Sequence, residues 1–353
     1  MTGFKGFLFI VCCFIPGTFV FGNGEGKIEK LPNVVIVTTG GTIAEKKDPK
    51  TGASVPALSG DTLISAVPEL KKLANIKVIN FMNIDSSHMA PENWRKLSAT
   101  VNDILKDPKV TGVVVTHGTD TMAEGAYFLD LTLDVNKPVV FVGAMRDASD
   151  PCPDGPANLL NAVIQVCSPD ALNWGVTVTM NQYINSARDV RKVSTTNVQT
   201  FESGQKGYLG TIDMGKVYRI NDRLGRLTFP LSAVLPDVAI VSAYSGADGK
   251  LLRYAVDSGA KGIVVEAMGA GNVNPPVYEA VKYAIGKGVA VVIASDVYYG
   301  RVLPLYGGEG GGATLEKDGA ILAGDLPPRK ARILLMLALS GAGNQDGLKA
   351  FFK

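Results

Sequence analysis

Short apolar runs rich in β-branched residues alternate with helix-length segments along most of the chain, and this alternation restricts the fold more than any other feature. The first part of the chain contains five such runs separated by four helical segments. This order is typical of an α/β doubly wound sheet. The predicted strands are residues 34–39, 76–80, 112–116, 138–144 and 175–180, and the predicted helices are about residues 61–74, 91–106, 121–133 and 157–167.

The alternation stops and then restarts, which predicts a second, smaller α/β domain. Residues 207–219 have the pattern of a β-hairpin around Gly215, and the polar, proline-containing residues 221–237 form the predicted linker. We therefore predict a larger N-terminal catalytic domain at residues 30–220 and a C-terminal domain at residues 238–353. The strands expected there are residues 238–243, 262–266 and 289–295, and the helices are residues 250–258, 276–287 and 328–340.

The N-terminus has the composition of a secretory signal peptide. Residues 1–22 carry Lys5 as their only charge, and an apolar stretch from Phe7 to Phe21 is interrupted by a proline and a glycine. The stretch is too short and too broken for a membrane span, and Gly22 is a plausible cleavage point. We expect a periplasmic or secreted protein with no membrane attachment once it is processed; a retained anchor is the alternative.

The charge balance limits the kinds of ligand that the chain is expected to bind. The chain has 35 Lys and Arg against 33 Asp and Glu. It therefore lacks the excess of positive charge that is typical of nucleic-acid-binding proteins, and a small-molecule or peptide substrate is favoured.

Two cysteines remain after the predicted signal peptide, Cys152 and Cys167. An oxidising compartment would permit them to pair, and buried free thiols are the alternative.

Two threonine-bearing loops directly follow predicted strands. The first is TTGGT, ending at Thr42, and the second is THGTD, containing Thr119 and Asp120. Sheets of this kind place their chemistry at the carboxyl ends of strands. A threonine hydroxyl is a weak nucleophile, so it needs a base and an electropositive surround. Without other information, the first loop could equally be a turn or a helix cap, and Asp120 could cap the following helix or face a pocket.

A third element carries Lys192. A lone lysine is usually a solvated surface charge, but if Lys192 turned inward beside Asp120, its neutral amine could take a proton from Thr119. The chain has only His88 and His117, and His117 is more typical of a packed loop residue than of a base. We find no nucleophile elbow, no Cys/His metal cluster and no phosphate-binding loop of the usual spacing.

These motifs, taken together, resemble those of the bacterial type II L-asparaginases, the secreted asparaginase/glutaminase enzymes. TGGTIA at residues 39–44 is similar to the first signature of that family, and THGTDT at residues 116–121 is similar to the second. The resemblance extends over nearly all of the chain after the predicted signal peptide. Supporting segments are residues 66–70, 126–131, 143–146, 154–156 and 330–335.

The resemblance implies an amidohydrolase that acts on L-asparagine, with L-glutamine as a candidate second substrate. Thr42 would attack the side-chain amide carbon, release ammonia and leave a β-aspartyl ester that water hydrolyses. Thr119, Asp120 and Lys192 would form the proton-handling group. No metal and no organic cofactor are implied.

The resemblance also implies a substrate site built by two subunits. Ser86 and Asp120 would hold the α-carboxylate and α-amino groups. The neighbouring subunit of a homotetramer would supply Asn272 and an acidic residue. The remaining substrate-binding residues of this expectation are Gly41, Ser87, Thr119 and Glu309, with Glu316 as the alternative to Glu309.

The chain departs from the family pattern in the lid. Family members usually carry a tyrosine shortly after the first signature, whereas residues 45–60 contain none and its place falls near Ala53. Since that tyrosine normally polarises the nucleophilic threonine, either another group polarises Thr42 or the lid closes differently. Ser87 also replaces the Gln or Glu that the family has beside the α-amino site, so substrate affinity or the balance between asparagine and glutamine is expected to differ.

Two other functions fit parts of the pattern. A related intracellular amidotransferase subunit shares the threonine loops, but the predicted signal peptide argues against it. A secreted amino-acid-binding protein also has two α/β domains, although binding alone would not require both threonine loops and Lys192. An amidohydrolase with a different small amide substrate is the remaining alternative.

Overall fold

A computed structural model describes residues 30–134, 136–341 and 345–352. The predicted signal peptide and its cleavage point lie outside these residues. No helix in the described part of the chain is long and apolar enough to cross a membrane.

The first half of the chain forms a mixed eight-stranded sheet. Its strand order is β12-β11-β8-β7-β6-β5-β1-β4, and the five strands from β7 to β4 are parallel. A separate small hairpin joins β2 to β3, and β9 pairs with β10. The strands are β1 (Asn33–Thr38), β2 (Glu45–Lys47), β3 (Ser54–Pro56), β4 (Asn75–Asn80), β5 (Val110–Thr116), β6 (Val139–Val142), β7 (Val176–Met180), β8 (Tyr183–Ser186), β9 (Arg191–Lys192), β10 (Phe201–Glu202), β11 (Gly210–Asp213) and β12 (Lys216–Arg219).

Helices cover both faces of this sheet, because its parallel strands are apolar on both sides. One layer contains α3 and α4, and the other contains α2 and α5. The strands β1 and β5 supply the centre of the core, where residues 34–37 and 113–115 are buried. The helices are α1 (Gly60–Ser65), α2 (Leu70–Leu73), α3 (Pro91–Leu105), α4 (Met122–Thr132) and α5 (Gly155–Cys167).

The last third of the chain forms a smaller parallel sheet in the order β13-β14-β15-β16. Helix α9 packs on this sheet and also against α4, so it joins the two domains. The predicted fold class, two α/β domains of unequal size, is confirmed. The elements are β13 (Val238–Ser242), β14 (Gly262–Ala267), β15 (Ala290–Ser295), β16 (Ile321–Leu322), α6 (Lys250–Asp257), α7 (Pro275–Gly286), α8 (Gly312–Lys317), α9 (Pro328–Leu339) and α10 (Gln345–Lys349).

The predicted linker lies along the larger domain. The guanidinium group of Arg223 donates to both carboxylate oxygens of Asp130 on α4, at 2.9 Å each. The amide of Phe229 donates to the carbonyl of Leu131 at 2.7 Å. These contacts fasten the connection between the two sheets to α4.

Two local predictions differ from the structure. The single helix expected at residues 61–74 is wrong, because the chain leaves helical geometry between α1 and α2 at Val67, the residue before Pro68. The strand after β7 was not predicted. Asn181 and Gln182 both have positive φ, of 46° and 69°, and this two-residue turn folds β8 back onto β7.

Candidate active site

The strand order places the two threonine loops at one point of the sheet. Strand β1 lies between β4 and β5, so the chain leaves β1 towards one side and later returns on the other. Such a switch in direction opens a crevice at the carboxyl ends of the strands. Thr42 begins a 3-10 turn directly after β1, and Thr119 follows β5. Both threonine loops therefore lie at this edge of the sheet.

The two loops are in contact through glycine. Gly41 has a φ of 81°, and a Cβ atom there would overlap the backbone of Gly118. A Cβ atom on Gly118 would in turn overlap the side chain of Ser86. The Thr39 hydroxyl also donates to the carbonyl of Thr116 at 2.8 Å. Gly41 therefore shapes the crevice by permitting close approach of the loops.

Lys192 faces Thr119 and Asp120, as the family resemblance implied. Its Nζ donates to Thr119 Oγ1 at 3.0 Å and to Asp120 Oδ1 at 2.7 Å. Thr119 is buried, and the Lys192 side chain is 21% exposed, which excludes a freely solvated surface lysine. Helix α4 has no side-chain cap, so the Asp120 carboxylate pairs with Lys192 instead of capping the helix.

Lys330 of α9 positions the segment that leads to Lys192. Its Nζ donates to the carbonyls of Ala187, Arg188 and Val190 at 2.8, 2.7 and 2.6 Å. Lys330 is buried, and burial lowers its pKa to about 7. The loop that carries Lys192 is thus held by a residue of the last long helix.

Ser86 completes one wall of the crevice. Its hydroxyl accepts a hydrogen bond from the Asp120 amide at 3.1 Å, and its carbonyl accepts one from the Thr121 hydroxyl at 2.8 Å. Ser86 is buried, whereas Ser87, the next residue of the same 3-10 turn, is exposed. The structure therefore joins Ser86, and not the Ser87 side chain, to the Asp120 loop.

A carboxyl group that the sequence analysis did not assign contacts Thr42. The Glu45 carboxyl group lies beside the Thr42 hydroxyl and Asp85, and both act on its pKa. Its pKa is raised to about 7, first by burial and then by the hydrogen bond and charge of Asp85. A spacing of three residues in a 3-10 turn is the sequence signal that relates Glu45 to Thr42.

The lid segment forms the β2–β3 hairpin and is docked on the loop after β6. Ser54 donates to Asp147 at 2.8 Å, the Lys47 amide donates to Ser149 at 3.0 Å, and the Ala148 amide donates to the Glu45 carbonyl at 3.1 Å. Ala53, where the family's lid tyrosine would fall, is exposed. In this lid the side chain that contacts Thr42 is Glu45.

His117 is a packed loop residue, as predicted. It is fully buried beside Phe141, and its Nδ1 donates to the Gly118 carbonyl at 2.7 Å. Burial lowers its pKa to about 4, so the ring is neutral at physiological pH. Cys152 and Cys167 are free thiols, the first exposed and the second half-buried, so the structure contains no bond between them.

The residues expected from a neighbouring subunit lie in the smaller domain. Asn272 accepts a hydrogen bond from the Gly312 amide at 3.3 Å. Glu309 is exposed in a loop, and Glu316 is exposed on α8. Among the described residues, no hydrogen bond or ion pair joins these three side chains to the threonine loops. Within one chain, the cavity beside Asp120 and Lys192 is lined by both domains, and the smaller domain contributes Glu266, Ser295 and Asp296.

Sequence models of known families match both domains. The family described as "Asparaginase, N-terminal" matches residues 33–224, and the "Glutaminase/Asparaginase C-terminal domain" matches residues 237–352. The chain belongs to the asparaginase/glutaminase family. The threonine loops of this asparaginase-family chain thus lie within the first matched region.

Relatives of the chain are similar over almost their whole length. The probable periplasmic L-asparaginase of Haemophilus influenzae is 41% identical, with 95% of this chain and 96% of the relative covered. L-asparaginase 2 of Escherichia coli is 39% identical, with 93% and 94% covered. The glutaminase-asparaginase of Acinetobacter glutaminasificans is 37% identical, with 91% and 98% covered.

A solved structure shares the asparaginase fold. The crystal structure of a probable cytoplasmic L-asparaginase from Campylobacter jejuni matches with a TM-score of 0.83 and 40% identity. The match covers 91% of this chain and 99% of that one. The two-domain architecture of this asparaginase-family chain is therefore that of a solved relative.

Proposed function

We propose that the protein hydrolyses L-asparagine to L-aspartate and ammonia through a threonyl acyl-enzyme, with L-glutamine as a second substrate. One observation carries the proposal: the two threonine loops meet at the switch point of the sheet, and Lys192 and Asp120 contact each other beside Thr119. The names of the relatives, L-asparaginase and glutaminase-asparaginase, support this substrate class.

In the proposed reaction, Thr42 Oγ1 attacks the side-chain amide carbon while Thr119 and Lys192 handle protons at the other side of the crevice. The π electrons of the amide C=O bond move to oxygen and return as the C–N bond breaks, and the nitrogen takes up the proton released by Thr42 Oγ1 and leaves as ammonia. Water hydrolyses the resulting ester. Asp120 attracts the substrate ammonium, and Ser86 donates its hydroxyl to the α-carboxylate.

We also propose that the protein is periplasmic or secreted and that it assembles as a homotetramer. The periplasmic name of the Haemophilus relative supports the location. Asp120 is 62% exposed in the single chain, so there is room for a neighbour to contribute Asn272 and Glu309 or Glu316 at the ammonium site. Division into a domain at residues 30–220, a linker at 221–237 and a domain at 238–353 belongs to the same proposal.

Ammonia release by the purified protein tests the proposed function. We expect turnover of L-asparagine, and we expect Thr42→Ala to lower it by roughly 10³-fold or more because the acyl-enzyme cannot form. Size-exclusion chromatography and circular dichroism serve as controls for folding. A Thr42→Ala variant that retains turnover would refute the assigned nucleophile, whereas wild-type protein that binds L-asparagine without releasing ammonia would identify an amino-acid-binding protein.

A further inference from the structure

Glu45 occupies a fixed position over Thr42. The 3-10 turn Thr42–Ala44 ends at Glu45, and residues three apart in such a turn lie on the same side. The Glu45 carbonyl accepts from Ala148 at 3.1 Å, and its backbone pairs with Pro56 in the lid hairpin. Main-chain contacts on both sides of the lid therefore fix the backbone that carries this carboxyl group next to Thr42.

The groups that face Glu45 are acidic. Asp85 shares a hydrogen bond with its carboxyl group, and Asp147 acts on it through its charge. The residue is only 7% exposed. A hydrogen bond between two carboxyl groups requires one of them to carry a proton, and burial disfavours a second negative charge. Burial and the neighbouring carboxylates therefore favour the protonated form of Glu45.

Glu45 has two hydrogen-bonding states that differ by this proton. When protonated, its hydroxyl donates to Asp85; when ionised, it accepts from the Thr42 hydroxyl. The second state is the arrangement of a base on a nucleophile. Burial and the charge of Asp85 place the change between the two states at a pKa of about 7.

We propose that Glu45 is the catalytic base and acid for Thr42, in the role that the missing lid tyrosine leaves open, and that Asp85 is a positioning residue for Glu45. This inference rests on the proposed amidohydrolase function. The first proton acceptor of the reaction would then be a residue of this chain's own lid.

The proton balance of the proposed step is complete. The Glu45 carboxylate takes the Thr42 proton as the oxygen bonds to the amide carbon. It then gives that proton to the departing nitrogen as the C–N bond breaks, so ammonia leaves and the carboxylate is restored. In the second half, it accepts a proton from the attacking water and returns it to Thr42 Oγ1 as the ester bond breaks.

The test is the pH dependence of kcat/KM for L-asparagine between pH 5 and 9. Wild type is expected to gain activity as pH rises through about 7. Glu45→Gln should lower kcat/KM by about 10²-fold or more, the usual contribution of a general acid–base, and should lose this ascending limb. Glu92→Gln, the same change on the exposed start of α3, is the matched control and should keep the wild-type profile.

A second variant separates catalysis from structure. Asp85→Asn removes a negative charge and an acceptor that raise the pKa of Glu45, so the ascending limb should move to lower pH. A limb that stays in place in Asp85→Asn, or one that persists in Glu45→Gln, would overturn the role of Glu45. This holds even if Glu45→Gln itself fails to fold.

The outcomes distinguish this inference from the proposed function. Turnover that is lost in Thr42→Ala but unchanged in Glu45→Gln would keep the amidohydrolase and reject Glu45. Absence of ammonia release by folded wild-type protein, with either L-asparagine or L-glutamine, would reject both.

Discussion

The two hydroxyl groups of the crevice have neighbours of opposite charge. Thr119 contacts the Lys192 amine, whereas Thr42 contacts the Glu45 carboxyl group. An amine and a carboxyl group can both transfer protons to or from a neighbouring hydroxyl. Each of the two hydroxyls proposed to take part in the reaction therefore has its own proton-transferring neighbour.

The raised pKa of Glu45 also makes folding stability depend on pH. The folded pKa is about 7 and the ordinary value is 4.5, so the folded state binds more protons between these values. Stability from this group is complete below about 4.5 and is lost as pH rises through 7. We expect the Tm of wild type to fall, relative to that of Glu45→Gln, between pH 5 and 8.

Differential scanning calorimetry of both proteins, at one protein concentration and matched ionic strength, measures this difference. The glutamine variant keeps the size of the side chain and lacks the titration. Parallel Tm curves from pH 5 to 8 would show that Glu45 titrates at an ordinary pKa in the folded protein.

Whether a sequence can predict a site residue depends on whether its contacts are fixed by nearby residues in the chain or by the tertiary fold. Lys192 was placed beside Asp120 by family resemblance, because no local pattern relates residues 72 positions apart. Glu45 was missed although it is three residues from Thr42, since that spacing has meaning only once a 3-10 turn is known. His117 was predicted correctly, because a histidine enclosed by apolar strands is usually neutral.

At the scale of elements, the strands and long helices followed from apolar periodicity. The differences arise where tertiary contacts or single residues override it. Pro68 divides a predicted helix, and β8 is short and turns back on β7. The lid hairpin could not be predicted from apolar periodicity, because β2 and β3 have only three residues each. Contacts with the loop after β6, such as that between Ser54 and Asp147, hold the hairpin in place.

The linker is held to α4 by a buried ion pair, which predicts a measurable contribution to stability. The side chains of Asp130 and Arg223 are 3% and 13% exposed. Arg223→Met leaves the carboxylate without its bidentate partner, so we expect a loss of about 3 kcal/mol in the free energy of unfolding. This is near the lower end for such pairs because Arg226 remains 4.0 Å from the carboxylate. Urea denaturation measures the loss.

An exposed bidentate Arg–carboxylate pair is the control. Arg95 donates two hydrogen bonds to Glu92 at 2.7 Å on the surface of α3, with the side chains 24% and 50% exposed. Arg95→Met should cost at most about 1 kcal/mol, because solvent screens the pair. Equal losses in both variants would mean that the linker contact adds nothing beyond a surface ion pair.

At the scale of the whole molecule, helix α6 bears on assembly, because one side of it faces the core and the other side faces solvent with large apolar residues. Leu252 and Val256 are buried against the smaller sheet, whereas Leu251 and Tyr254 are 66% and 72% exposed. Tyr244, before this helix, is 58% exposed. Grouped exposed apolar side chains are typical of surfaces that other proteins cover. A second copy of the chain is the occupant that the proposed homotetramer requires.

Charges placed on this face should dissociate the proposed tetramer. In the double variant Leu251→Asp and Tyr254→Asp, burial of two carboxylates in an interface is unfavourable, so we expect smaller assemblies by size-exclusion chromatography with light scattering. Lys71→Asp, on the exposed surface of α2, introduces a carboxylate elsewhere and should leave the assembly unchanged. An unaltered tetramer in the double variant would exclude the α6 face from the interface.

Activity measured on the same fractions relates assembly to the site. If Asn272 of a neighbouring subunit completes the ammonium pocket beside Asp120, the smaller species should bind L-asparagine more weakly, with KM raised by roughly 10-fold or more. Glu45 and Lys192, which we propose to handle protons, belong to the same chain as Thr42, so kcat should change less than KM. Smaller species with wild-type KM would mean that one chain forms the whole substrate site, and the exposure of Asp120 would then serve only substrate entry.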